Sequence, residues 1–231
     1  MFEGVHARPD GQSTVSRLAL TASDYGFDGI VVRNHGDEPA SYNPQDIRDT
    51  YGIDVVTAVE IRADDPSRAG GFVGAHRENH TLVLVHGGDP AINRFAVEQP
   101  AVDVLAHPMA GDGDFNHVLA QRASENGVRI EFNFGPVFRL QGGRRVQSIQ
   151  KLRKLRELLE ACDTPYVVSA DPRTHLQLRT PRALQAIGEE LGMDAEYVEE
   201  GLLEWKRLTE RNRERLSESF VQPGVWRVDD E

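Results

Sequence analysis

Short apolar runs and amphipathic stretches alternate along this chain. Phe2–His6 is a first apolar run. Val15, Leu18, Ala19 and Ala22 then recur at i, i+3, i+4 and i+7, the spacing of one helix face, with Ser13 as the expected cap and Gly26 as the stop. Gly29–Arg33 reads as a second strand, Tyr42–Tyr51 as a short helix and Ile53–Ile61 as a third strand. A weak helix over Pro66–Glu78, interrupted at Gly70-Gly71, leads to the strand Thr81–His86. A helix from Asp89, the strand Val102–His107, a helix capped by Asp114 and ended by Gly127, and the strand Val128–Phe134 continue the alternation. Ser148 is the expected cap of a helix that runs to Cys162. Tyr166–Ala170 is the seventh strand, and helices start from Thr180 and Asp194.

Most of these strands are near-continuous Val/Ile/Leu runs, as in a parallel sheet buried on both faces. Their spacing of ~20–30 residues suits repeated right-handed crossovers. The expected fold is therefore α/β: one parallel β/α barrel of seven to eight strands, TIM-barrel-like and irregular in places. It spans residues 1–231 with a short tail after about 217. An open doubly wound sheet is the alternative. The glycine-rich phosphate loops of the common nucleotide-binding sheets, G-x-G-x-x-G and G-x-x-x-x-G-K-[ST], are absent.

Composition narrows the setting. No apolar run approaches ~18 residues, so no membrane span is expected. The first residues do not read as a signal peptide, and Cys162 is the one cysteine. A cytoplasmic protein is expected. The chain carries 37 acidic and 26 basic residues for a net charge of −11, and only Lys151, Lys154 and Lys206 among the bases are lysines. An acidic, lysine-poor surface suits solubility in high salt; a GC-rich genome would also favour arginine.

Polar residues gather where the strands end. His6 and Arg8 close the first, Arg33, Asn34 and His35 the second, and Glu60 and Arg62 the third. His86 closes the fourth, His107 the fifth, and Glu131 and Asn133 the sixth; Asp171, Arg173 and His175 follow the seventh. In a barrel these ends open onto one face, where sites are built. Three readings compete. Histidines and carboxylates are ligands for zinc or manganese. Against that, a guanidinium ~5 Å from a divalent ion repels it by roughly 6–7 kcal/mol at an effective dielectric of ~20, and arginine cannot shed its proton. Alternatively, Arg8, Arg33 and Arg173 grip an anion through paired hydrogen bonds, with His6, His35, His107 and His175 adding donors. In the third reading the arginines pair with Asp10, Asp37, Asp64 and Asp171 in a structural network.

The segment Arg139–Arg156 adds a second candidate. Arg139, Arg144, Arg145, Lys151, Arg153, Lys154 and Arg156 give it a local charge of +7 with no acid. Gly142-Gly143 reads as a flexible loop before the helix. A concentrated basic patch on an acidic protein points to a polyanion, although a solvated helix face is the plainer reading. At molar salt the Debye length is ~3 Å, so close arginine–phosphate bonds have to replace long-range attraction.

The blocks GVHARPDG, YGFDGIVVRNH, VDVLAHP and SADPRTHLQLRTPRAL resemble the protein component 3 family of archaeal ribonuclease P, in order and over nearly the whole chain. The resemblance implies a non-catalytic, RNA-binding subunit of an enzyme that removes the 5′ leader from precursor tRNA. The RNA carries the active site and its own magnesium, and the protein itself holds no metal or cofactor. The implied partners are ribonuclease P RNA, precursor tRNA through the complex, protein component 2 and the other protein subunits. The family is also similar to polymerase-and-histidinol-phosphatase-type (PHP-like) metal phosphoesterases, which makes a free-standing phosphoesterase the alternative. His6, Glu60, His107 and Asp171 stand where such enzymes keep ligands. With Arg8 and Arg173 in place of further histidines, the expectation is a former metal crater turned into a cationic face.

Overall fold

Along the first four strands the inward column begins apolar and ends polar, and this change organises the molecule. The computed structural model describes residues 1–111, 113–217, 220–222 and 225–226. Its main sheet contains β1 (Phe2–Val5), β2 (Gly29–Val32), β3 (Asp54–Ile61), β4 (Leu82–His86), β5 (Val104–Ala106), β6 (Arg129–Asn133) and β7 (Tyr166–Ser169). Each pairs parallel with the next, in chain order. The strands curve into a nearly closed TIM-like barrel, with helices around it.

The seam between β7 and β1 is held by a side chain. The buried Glu3 carboxylate accepts Ser169 Oγ–H at 2.6 Å and Ala170 N–H at 3.1 Å. Just above, His6 N–H donates to Pro172 O at 3.0 Å. Because side chains alternate with period two, Phe2, Val31, Val56, Ala58, Leu82, Leu84, Val104 and Val167 form one inner cluster. A larger apolar cluster fills the space between the barrel and its helices.

Seven helices carry a side-chain cap that accepts a backbone N–H: α1 (Val15–Asp24), α2 (Pro44–Tyr51), α3 (Pro66–Arg77), α4 (Pro90–Val97), α5 (His117–Asn126), α8 (Pro181–Leu191) and α9 (Ala195–Arg215). The caps are Thr14, Asn43, Asp65, Asp89, Asn116, Thr180 and Asp194. Thr14 and Asn116 thus replace the expected Ser13 and Asp114. Helix α3 runs unbroken through Gly70-Gly71, with Ala69 and Val73 buried beneath it; tertiary packing overrides the weak local propensity. A five-residue helix, α6 (Gly135–Arg139), was not expected. The expected start of the next helix is corrected as well: α7 spans Gly142–Ala161, so Gly142-Gly143 is its first turn and not a flexible loop.

The last helix, α9, closes the barrel at the strand starts. Trp205 and Leu208 join the inner apolar cluster, and Trp205 Nε1–H donates to Val168 O at 2.9 Å. Gly201 permits this approach, since a Cβ there would come within 2.6 Å of Val168 Cγ2. Arg213 bonds both oxygens of Asp54 at 2.6 and 2.9 Å, and Arg211 bonds Asp103 at 2.7 Å. These basic residues thus dock α9 onto the barrel. The tail expected after about 217 lies mostly outside the described residues; within it β8 (Phe220–Gln222) and β9 (Val225–Trp226) pair antiparallel.

Candidate functional site

At the opposite end of the barrel the inward columns finish in a crater of histidines and carboxylates. Its first corner is built by a tight turn. After β1, Gly11 N–H donates to Ala7 O at 2.7 Å, and a Cβ at Gly11 would strike the His6 carbonyl. The turn folds Asp10 back over His6. Asp10 Oδ2 accepts from His6 Nδ1 at 2.6 Å, His35 Nδ1 at 2.7 Å and His35 N–H at 3.0 Å. Its other oxygen accepts from Arg173 at 2.9 Å. Burial alone would raise the Asp10 pKa, but the hydrogen bonds from His35 and His6 hold it well below the carboxylate range.

Glu60 is the centre of the crater. Its Oε1 lies 2.5 Å from His86 Nδ1, 3.3 Å from His107 Nε2 and 3.5 Å from His35 Nε2. Its Oε2 accepts from Arg33, at 2.8 Å from Nε and 2.6 Å from the second terminal nitrogen. The remaining arm of the Arg33 fork bonds Glu131. Arg33, Glu60 and Glu131 are all buried. Burial would raise Glu60, yet Arg33 holds it well below its ordinary value. His107 is pushed up to about 9: burial opposes this, and Glu131 and Glu60 outweigh burial. His35 is raised too, against burial, by Asp10 and Glu60. The crater therefore attracts positive charge. His107 and Asp171 sit at φ of 50° and 48°, a left-handed backbone that costs of order 1–3 kcal/mol each and that clusters at functional sites.

The predicted site residues divide into three groups. His6, Arg33, His35 and His107 converge in the crater, but Arg33 is no open cation. Its fork is filled by two carboxylates. Arg8 is exposed and turned away, bonding Gln12 O at 2.8 Å. Arg173 is paired with Asp10, and Arg139 bonds Ala170 O and Asp171 O at 2.9 and 3.0 Å. His175 bonds Ser13 Oγ at 2.9 Å outside the crater. The expected cationic face is thus corrected: Asp10, Glu60, Glu131 and Asp171 balance Arg33, Arg139 and Arg173, and the charge-repulsion argument against a cation loses its force. Asp10, Glu131, His86 and Asn133 belong to the cluster as well. The sequence places the last three at strand ends and names Asp10 only as an arginine partner, a pairing that Arg173–Asp10 bears out, as Arg62–Asp37, Arg68–Asp64 and Arg139–Asp171 do for the other three acids of that network. Beside His86 a cleft of about 790 Å³ opens between Arg62, Arg68, Phe72 and His76.

The basic segment forms a separate surface on α7. Leu152, Leu155 and Leu159 are buried. Lys151 bonds Met109 O at 2.8 Å, Arg153 bonds Glu190 O at 2.6 Å, and Arg156 bonds Gly192 O. Arg144, Arg145 and Lys154 are exposed and carry no ion pair among the described residues. Arg144 and Arg145 lie in the first turn, where the helix dipole disfavours cations. No side chain caps that end.

A family model described as RNase P subunit p30 matches residues 2–217. Ribonuclease P protein component 3 of Haloarcula marismortui, a haloarchaeon, is 63% identical over 230 residues, covering 100% of this chain and 98% of that protein. A chain from a cryo-EM structure of archaeal ribonuclease P with mature tRNA superposes with a TM-score of 0.85 at 23% identity, covering 100% of this chain and 99% of that one. The fold is shared more distantly with histidinol phosphate phosphatase of Lactococcus lactis, solved with zinc, L-histidinol and phosphate. There the TM-score is 0.56 at 10% identity, covering 83% and 94% of the two chains. With a match over nearly all of its length, the chain belongs to the RNase P subunit p30 family.

Proposed function

We propose that this chain is a non-catalytic protein subunit of ribonuclease P. It supports the catalytic RNA in removing the 5′ leader from precursor tRNA, in the cytoplasm and together with component 2 and the other protein subunits. The RNA's own magnesium carries the chemistry. The near-full-length identity to a ribonuclease P protein component 3 carries this reading. Among the described residues no helix is long and apolar enough to cross a membrane.

The RNA contact is the N-terminal half of α7. Its uncapped backbone N–H groups and the flanking Arg144 and Arg145 offer what a phosphate takes: oriented donors and a planar cationic fork. Lys154 extends the surface along the helix. Two arginines where the dipole disfavours them have no ion-pair partner among the described residues, which favours a role toward an outside anion. The crater's arginines are engaged by carboxylates and contribute through shape, not open charge.

Two measurements test the reading. The triple variant Arg144→Glu, Arg145→Glu, Lys154→Glu should lose protection of the catalytic RNA in footprinting, and its salt slope of binding should fall by about 2–3, at ~0.7–0.9 per lost phosphate contact. The isolated wild-type chain with manganese should leave a generic phosphomonoester intact. An unchanged footprint would remove α7 from the interface, and turnover of the phosphomonoester that is lost on Glu60→Gln would favour the phosphoesterase alternative.

A further inference from the structure

We infer that the crater binds one divalent transition-metal ion through His35 Nε2, Glu60 Oε1 and His86 Nδ1. The three atoms lie 3.5, 3.4 and 2.5 Å apart and form one of two groups of donors close enough to share an ion. Bonds of about 2.0–2.2 Å to such donors place them roughly 3–3.5 Å from one another. His86 is the least buried member of the set, at 33% side-chain exposure.

The ring orientations point the same way. His35 Nδ1 is held by the Asp10 carboxylate at 2.7 Å, which turns Nε2 toward Glu60 Oε1 at 3.5 Å. His6 repeats the pattern: Nδ1 is held by Asp10 at 2.6 Å, which leaves Nε2 on the far side of the ring. That buried Nε2 has no hydrogen-bond partner, and neither has the buried Asp171 Oδ1, 3.0 Å away. Glu60 Oε2 is 3.6 Å from the same nitrogen. His6 Nε2 and Asp171 Oδ1 thus face each other beside Glu60 without a hydrogen bond. A carboxylate that orients an imidazole through its far nitrogen is also the usual support of a histidine ligand, and Asp10 provides it for two rings.

The ion is held by nitrogen and carboxylate oxygen, which suits zinc, manganese or iron over magnesium or calcium. This inference runs against the expectation drawn from the arginines. The inference does not depend on the RNA reading, because the α7 surface is separate from the crater.

The test uses the purified full-length chain, stripped with a chelator and then loaded with Zn²⁺ or Co²⁺. After exhaustive dialysis the wild type should retain about one ion per chain, and excess Mg²⁺ should not displace it. His86→Ala and Asp10→Asn, each checked for folding by circular dichroism, should bind about 10–100-fold more weakly. A readout on the wild type needs no variant: with ¹⁵N-labelled histidines, Co²⁺ should shift and broaden His35 and His86 while leaving His117 and His175 unchanged. A folded chain that retains no ion would overturn the inference. So would wild-type affinity in a folded His86→Ala variant, or perturbation centred on the surface pair His76 and His80.

Discussion

Arg33 is the largest charged side chain in the core, and its replacement by methionine measures how the crater is held together. The guanidinium is completely buried and bonds two carboxylates, Glu60 and Glu131, that are themselves inaccessible. Methionine keeps a similar stem and leaves both carboxylates without their cation. Breaking a buried pair from one side costs about 3–5 kcal/mol, because the stranded charge has lost its solvent as well as its partner. For a chain of this length each kcal/mol corresponds to roughly 2–4 °C, so the melting temperature should fall by about 6–20 °C. Calorimetry and urea unfolding give both quantities. Arg33→Met combined with Glu131→Gln should recover part of the loss, since one stranded charge is gone. The loss should persist in molar salt, which screens exposed pairs such as Arg62–Asp37 but not this one. It should also depend on pH. Without Arg33 the folded Glu60 pKa rises from its depressed position, so the deficit against wild type is complete near neutrality and shrinks as Glu60 takes up its proton at acid pH. A loss under about 1 kcal/mol, or one that vanishes in salt, would refute the reasoning.

Two further substitutions probe the barrel. The buried Glu3 carboxyl is pushed up to about 8 from an ordinary 4.5 by burial. Its stability contribution is complete below pH ~4.5 and is lost as pH rises toward ~8, reaching roughly 3 kcal/mol of loss by pH 7. Glu3→Gln keeps an acceptor for Ser169 and Ala170, so its stability should be flatter than wild type over this window; parallel profiles would contradict it. Trp205→Ala removes the buried ring that closes the barrel floor and should cost ~3–5 kcal/mol in denaturant unfolding. A cost under ~1 kcal/mol would mean that α9 does not depend on this anchor.

The strand–helix alternation was legible because each strand is a distinct apolar run, and all seven strands appear where those runs stand. Helix limits were less so. Gly142-Gly143 looks like a loop by propensity, yet it forms the first turn of a helix whose buried leucines, Leu152, Leu155 and Leu159, all lie further along. The crater's membership was partly legible, because His6, Glu60, His86, His107 and Asp171 all lie at strand ends. Its charge was not. Whether an arginine is an open cation or half of an ion pair depends on what faces it across the barrel, and Glu131 is 98 residues from Arg33. Asp10 was legible as an arginine partner but not as a histidine partner, because only the turn at Gly11 brings it onto two imidazoles.

The account centres on a protein that assists an RNA catalyst without performing the reaction itself. The most direct measurement is precursor-tRNA processing by the catalytic RNA with component 2, titrated with Mg²⁺ in the presence and absence of this chain. The account predicts that the chain lowers the Mg²⁺ needed, and that the Arg144→Glu, Arg145→Glu, Lys154→Glu variant forfeits most of that effect. Identical Mg²⁺ curves with and without the wild-type chain, or 5′ cleavage by the chain in the absence of the RNA, would contradict it.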